Sequence, residues 1–416
     1  MGTTVQFGEL LVQITDQFAY AWKDKKSGGD FDGSFWTPLP VGAGFRPLGG
    51  IGFKGYADPN TDPNNKEWAL CVAAAPNCAG ALAAPADYVL IWKDKGSGAK
   101  DDGSCWRPIP PTGYAACGDI FVNGYDKPST TAVWCVRQNL VHPGHIGENI
   151  WTDKRTHANK DFSSWQIDVT IPYVDAVDGL FAANTYIGYG SHDKPTSGAE
   201  VNVLKVPIPT RIMADPVAPV LTSVVAPPSQ THPVVDRIVT VPFSAIKDVQ
   251  DGMTVHKQLK ESPFYTLERT VHYTQLLFGH NQTGLPQTKT RAVTVGVDKT
   301  QSQTFQFETA ISVGAEVGVS FLTGTVSASA TVTIGFETSK SVTEMKSTTI
   351  VDTLKIDAGC AAASWALTYS LQLFRTDKEK TAVGKPLAFN NNGSFVDSEF
   401  RPLKGEATET ELQVTA

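Results

Sequence analysis

A tryptophan pair that recurs three times constrains the first half of this chain more than any other feature. Trp22 and Trp36, Trp92 and Trp106, and Trp151 and Trp165 are each fourteen residues apart. The surrounding text agrees: AYAWKDKKSGGDFDGSFWTPLP, VLIWKDKGSGAKDDGSCWRPIP and ENIWTDKRTHANKDFSSWQIDV share a Trp-Lys/Thr-Asp-Lys start, a polar Gly/Asp loop and an aromatic-led strand. Downstream, each copy reads as a Gly-Tyr followed by Asp and Pro, at Gly55-Tyr56, Gly124-Tyr125 and Gly188-Tyr189. Such self-similarity marks one supersecondary unit repeated. Residues from about 8 to 208 are therefore read as three copies of one unit.

Within a unit, apolar strands flank a loop of Lys, Asp, Gly and Ser, and a Gly/Pro turn leads into a second strand pair such as AVWCVRQ, a composition that makes hairpins. One sheet of about four strands cannot bury its own face, so three units pack about a pseudo-threefold axis with the Trp side chains inside. The expected fold is all-β, with an N-terminal β-prism. A β-trefoil is the alternative, although its units are usually shorter than the 59- and 70-residue intervals found here. The polar loops carry Asp24, Asp94 and Asp153, and also Asp30, Asp32, Asp101, Asp102 and Asp161. The latter five are the candidate receptor or glycan contacts. Turn formation and strand capping account for the same residues. Calcium is disfavoured because no Asp-x-Asp-x-Asp-Gly loop is present.

The repeat text resembles the vacuolar protein sorting-associated 62 family, whose pattern joins Trp-x-Asp, a polar loop, Trp-Arg-Pro, Pro-x-Gly-Tyr and Gly-Asp-Ile/Val. The second copy carries it most fully, as Trp92-Lys93-Asp94, Trp106-Arg107-Pro108, Pro111-Thr112-Gly113-Tyr114 and Gly118-Asp119-Ile120. The first copy keeps Trp36-Thr37-Pro38 but has Phe45 for the Tyr, and the third has lost the Trp-x-Pro.

A net charge of -7 gives no general attraction to nucleic acid or anionic lipid. No stretch of about 18 apolar residues exists, so no transmembrane helix is expected. The start MGTTVQFGELLVQITDQF lacks a basic region followed by an apolar run and does not read as a secretory signal. The chain is expected to be soluble, then released or ingested, and inserted in a target membrane. Of six cysteines, Cys71, Cys78, Cys105, Cys117 and Cys135 fall in the first third and Cys360 stands alone. Free buried thiols and one or two disulfides both fit; zinc spacing is missing. No metal or cofactor is expected.

A Pro-rich passage over 209–234 separates the repeats from a Thr, Ser and Val-rich second half, 235–416, whose alternation implies long strands with one wet face. Its sharpest segment, within a hairpin placed at 309–337, is AISVGAEVGVSFLTGTVSASATVTIGFE. One face carries Ile311, Val313, Ala315, Val317, Val319 and Phe321, then Val326, Ala328, Ala330, Val332, Ile334 and Phe336. The other carries Ser312, Glu316 and Ser320, then Ser327, Ser329, Thr331 and Thr333, with Gly between. Each arm has 11 residues, and a tilted transmembrane strand needs roughly 9 to 11. Leu322 opens the turn, Leu322-Thr323-Gly324-Thr325. In lipid the apolar row would face hydrocarbon and the Ser, Thr and Glu316 row a water-filled lumen. A lone hairpin leaves edge backbone groups unpaired, so several copies must close one barrel. A sandwich strand pair alternates in the same way. The polar flanks TQSQTFQFE and TSKSVTEMKSTT read as extramembrane continuations of the arms.

This pattern resembles the aerolysin-like toxin family, in which a Ser/Thr-rich amphipathic loop between two long strands becomes a transmembrane barrel after ring assembly. The resemblance covers about residues 235 to 416 and implies a receptor-binding region at the N-terminus. It also implies terminal cleavage, for which Arg401 and Lys404 in the tail are candidate sites. No GxSxG, HExxH, GxxxxGK[ST] or Rossmann glycine series is present, and His142-Pro143-Gly144-His145 reads as a turn. The expected activity is therefore not enzymatic. It is a pore-forming toxin, cytolytic or insecticidal, acting on a cell membrane through a surface receptor, glycan among the candidates, as a homo-oligomer and without nucleic acid. The alternative is a lectin-like carbohydrate-binding protein without pore activity.

Overall fold

A computed structural model describes residues 3–402 apart from 63, 170–177, 197–199, 215, 297, 310, 315–317, 323–327 and 333–347. It is built almost entirely of antiparallel strands. The three repeats each form a three-stranded sheet, from Phe18–Lys23, Gly33–Pro38 and Ile51–Lys54, from Asp87–Lys93, Gly103–Ile109 and Ile120–Asn123, and from His145–Thr152, Ser163–Asp168 and Tyr186–Tyr189. Trp22, Trp92 and Trp151 meet at the centre, with ring centroids 5.2 to 5.7 Å apart in edge-to-face pairs. Each indole Nε1 donates to a carbonyl of the next repeat: Trp22 to Asp101, Trp92 to Lys160 and Trp151 to Phe31. A buried indole needs a partner for its N–H, and this cyclic exchange supplies all three. The geometry is that of a prism, three sheets about one axis.

The repeats also supply a four-stranded sheet in the order Thr4–Phe7, Leu10–Thr15, Ala69–Ala74, Arg46–Pro47 and a three-stranded one in the order Tyr114–Ala115, Cys135–Arg137, Leu82–Ala83. The His142–His145 passage is not a turn: Val141–Pro143 and His145–Thr152 are strands, paired with Asn202–Pro207 and Ser163–Asp168. All six cysteines are free, five of them buried.

The second half centres on a five-stranded sheet in the order Thr210–Ile212, Val234–Pro242, Phe264–His280, Ala361–Arg375, Ala382–Phe400. The last three strands have 17, 15 and 19 residues, long enough to extend well beyond a compact core. Buried pairs fix neighbouring elements: Arg269 Nε donates to Asp236 at 2.9 Å, and Arg375 Nε to Asp248 at 2.8 Å. One apolar core runs through both halves, where Phe7 packs on Phe181 and Phe264 and Trp68 on Phe243.

Candidate functional site

The segment read as an inserting hairpin is entered and left through a two-stranded stem. Strand Gln287–Val295 pairs with Thr348–Ile356 in nine consecutive partner positions, ending with Val295 opposite Thr348. Beyond Val295 the chain turns away. Gly296 has φ +100, a region open to glycine and costly for other residues, and its N–H meets the backbone and side-chain oxygens of Asn390 at 3.1 and 3.0 Å. Asn390 Nδ2 in turn donates to the Thr294 carbonyl.

Between the stem strands the chain is not one pair of long arms. Lys299–Thr309 is an α-helix, not an extended continuation, capped at Gln301 N–H by Asp298. The first arm is folded on itself: Ile311–Gly314 pairs with Gly318–Leu322, placing Ile311 opposite Phe321 and Val313 opposite Val319. Gly318–Leu322 then pairs with Ala328–Val332. Among the described residues the arms thus form three short strands, because in water a long ribbon with one bare apolar face is stable only against a partner. That partner is the third repeat. Asp178–Phe181 pairs with Ala328–Val332 and joins the three strands to Asn202–Pro207 in one six-stranded sheet. Ala315, Glu316, Val317, Val326, Ser327, Thr333, Ile334 and Phe336 lie outside the described residues, as do 338–347 and the tail with Lys404. Arg401 is described, and reaches Asp357 at 3.3 Å.

The polar loops at the other end share one backbone plan. Asp24 Oδ1 accepts from Gly33 N–H, Asp94 from Gly103 and Asp153 from Phe162, nine residues on in each case. Lys26, Gly96 and Arg155 occupy matching left-handed positions with φ 75, 89 and 68. Each loop is tied to the next repeat: Lys100 N–H donates to Lys25, Asn159 to Lys95 and Asp30 to Lys154. These buried aspartates are therefore structural, and burial raises the pKa of Asp24 and Asp153 against the pull of their hydrogen bonds.

Asp32, Asp102 and Asp161 are the equivalent exposed residues of the three copies. Asp102 accepts from Tyr125 Oη at 3.1 Å, which also donates to Asp94 at 2.8 Å. Tyr56 bridges Asp24 and Asp32 likewise, and desolvation with these carboxylate neighbours pushes both phenols up. In the third copy the bridging residue is His192, whose Nε2 lies 2.7 Å from Asp153 and 3.8 Å from Asp161. Gly188-Tyr189 is thus not the counterpart of Gly55-Tyr56. Tyr189 lies opposite Ser163, the place Phe53 takes opposite Ser34, so the Tyr has become His and the text match misled by three residues. Asp30 and Asp101 differ from these: Asp30 pairs with Arg155 at 3.1 Å and Asp101 accepts from Tyr20 Oη at 3.0 Å. Among the described residues no cluster of His, Cys, Asp and Glu is placed to hold a metal ion.

The motif residues of the second copy join copies rather than face solvent. Arg107 Nε and Nη2 bond both oxygens of Asp119 at 2.9 Å, Arg107 Nη2 reaches the Gly188 carbonyl, and Gly188 N–H returns to Asp119.

A prism of repeats fused to a long-stranded sheet with a diverted insertion defines a β-rich, two-part architecture. Residues 2–205 match the family described as Vacuolar protein sorting-associated protein 62, and residues 235–383 match Insecticidal Crystal Toxin, P42. Both resemblances read from the sequence thus meet a family model on the half where they fell, and the second supports an insecticidal toxin. Among solved structures, GNIP1Aa from Chromobacterium piscinae is 26% identical with a TM-score of 0.39, over 47% of this chain and 37% of that one. The chain therefore spans well under half the length of that relative. Cry35Ab1 is 10% identical with a TM-score of 0.36, over 95% of this chain and 90% of that one. No curated protein matches. No described helix is long and apolar enough to cross a membrane, which says nothing of strands.

Proposed function

We propose that this chain is a pore-forming toxin. Its repeat region binds a receptor on the target cell, several copies assemble, and each contributes the 309–337 segment to a shared transmembrane β-barrel. The observation that carries this reading is the unbroken apolar alternation in a segment that both enters and leaves through one stem. Spanning lipid requires every backbone group to be paired, which a closed barrel of many hairpins provides. Storage against the third repeat in short strands supports a soluble state, since backbone groups of Ile311–Gly314, Gly318–Leu322 and Ala328–Val332 are paired there before release. The ring of Asp32, Asp102 and Asp161 is the proposed receptor or glycan contact, being exposed and presented three times on one frame.

The test is a Val317→Cys chain carrying a polarity-sensitive dye, mixed with receptor-bearing membranes loaded with a second dye. A blue shift that accompanies leakage supports insertion of this position into lipid. Binding with neither shift nor leakage overturns the pore and leaves a lectin-like protein.

A further inference from the structure

The stem fixes a register, and that register can be read beyond the point where the ladder stops. We propose that on insertion the stem ladder continues residue by residue, so that Ile311 faces Val332, Ser312 faces Thr331, Val313 faces Ala330 and Gly314 faces Ser329. This rests on the pore-forming reading above. Ile311 lies sixteen residues beyond Val295, and Val332 sixteen before Thr348, so unbroken antiparallel pairing brings them together.

Three observations support it. The first is phase. Val293 and Val295 are the buried positions at the end of one stem strand, and Asp352, Leu354 and Ile356 are buried on the other. Side chains alternate with period two, so an even step keeps the same face, and Ile311 and Val332 fall on it as members of the apolar row. A slip of one residue on one arm would put apolar residues opposite polar ones throughout.

The second is the place of the stop. The ladder ends at Val295, where Gly296 gives its N–H to Asn390 on a neighbouring strand, and no proline follows before Ile311. Releasing that contact frees the next pair to form without any further loop closure, since the stem already holds the two chain ends together.

The third is that the stored arrangement cannot be the inserted one. Ser312 and Thr331 both lie opposite Ser320, on either side of the central strand, so the two outer strands run parallel in storage. They become antiparallel partners only if the central strand leaves. A turn closed on Thr323-Gly324 would instead place Ser312 opposite Gly335, with four residues of the second arm bulged out between stem and membrane. The unbroken ladder needs none.

The experiment is disulfide mapping in the full chain, with Cys78→Ser to remove the one native cysteine that is not buried. In storage, positions 312 and 331 are two strand spacings apart, about 10 Å, beyond the roughly 7 Å limit for a disulfide. The pairs Ser312→Cys with Thr331→Cys and Ser312→Cys with Gly335→Cys are oxidised in solution and after membrane addition, with leakage followed in parallel. The expected result is an intrachain bond for the first pair only, formed only on leaking membranes, and the same for Val313→Cys with Ala330→Cys should the first variant fold poorly. Leakage with the Gly335 pair bonded, or with no pair bonded, overturns the register and leaves the pore standing. Binding by the wild-type chain with no leakage overturns the pore reading itself, and the register with it.

Discussion

Leu180, a buried residue of the third repeat, lies opposite Ser329 of the proposed inserting segment in an antiparallel ladder, flanked by Gly179 opposite Ala330 and Phe181 opposite Ala328. The region read as receptor-binding therefore pairs directly with a strand that insertion must remove. A disulfide between Leu180→Cys and Ser329→Cys should abolish leakage while leaving cell binding intact, and reduction should restore it. Full leakage by the oxidised form would mean that this ladder need not open.

The two faces of the segment make a second contrast. Val317→Asp places a charge on the proposed lipid face about midway along the first arm, at a cost per copy below the roughly 2 to 4 kcal/mol that Lys or Arg incurs near the bilayer midplane, and every copy in the ring repeats it. Leakage should fall by orders of magnitude. Thr331→Asp, on the proposed lumen face, should change ion selectivity and leave leakage within a few-fold of wild type. Comparable losses from both, in dye-release assays, would count against the assignment of faces.

In the repeats, buried and exposed aspartates should separate stability from binding. Asp94 is 3% exposed and accepts from Gly103 N–H and Tyr125 Oη. Asp94→Ala leaves the buried Gly103 N–H without its side-chain acceptor and Tyr125 Oη with Asp102 alone, and should cost about 1 to 3 kcal/mol in urea unfolding. Asp102→Ala should cost less than about 1 kcal/mol and weaken attachment to target cells. Unchanged attachment after replacing Asp32, Asp102 and Asp161 together would remove the ring as a receptor contact.

The repeats were legible because their Trp side chains do one task three times, and identical packing demands near-identical text. The third Tyr-to-His exchange escaped because the text offers a nearer Gly-Tyr; only the pairing of Tyr189 with Ser163 reveals the true position. In the second half, alternation shows which residues share a face, but it is blind to whether an arm lies straight or folds back, as Ile311 does onto Phe321. The helix Lys299–Thr309 was missed for a related reason. Its Thr and Gln composition is indifferent, and its place is set by tertiary contacts: Phe305 is buried in the shared core, and Glu308 Oε2 accepts from the Lys385 N–H. The latch at Gly296 leaves only a single glycine in the sequence.

Acidity should bear on the joint between the halves. Glu67 adjoins Trp68, whose ring packs on Phe243, and its carboxylate accepts from Asn184 Nδ2 at 3.4 Å. Burial lifts its carboxyl to about 7, against a slight opposite pull from Asn184. The folded chain then keeps a proton that the unfolded chain releases, so stability is full below the unfolded value near 4.5 and declines as pH rises to about 7. The loss is at most about 3.5 kcal/mol, at roughly 1.4 kcal/mol per pH unit. Glu67→Gln should flatten this decline in denaturant titrations between pH 5 and 7; an unchanged slope would assign it to other groups.

Asn390 gives the last prediction, because it holds the chain at the point where it leaves the stem. Its side-chain oxygen accepts from Gly296 N–H at 3.0 Å and its amide donates to Thr294 at 3.2 Å, while its backbone carbonyl also accepts from Gly296. Asn390→Ala removes the two side-chain bonds and keeps the backbone one. Each bond contributes about 0.5 to 1.5 kcal/mol net, and both oppose the next step of the stem ladder. If their loss raises the stored state without affecting the barrier's top, leakage should begin roughly five- to a hundredfold faster, since the two bonds sum to about 1 to 3 kcal/mol and about 1.4 kcal/mol corresponds to tenfold in rate. Cell attachment should not change, since the repeats are untouched. Stopped-flow dye release at fixed receptor density measures this directly, and a slower onset in Asn390→Ala would show that the contact guides insertion instead of restraining it.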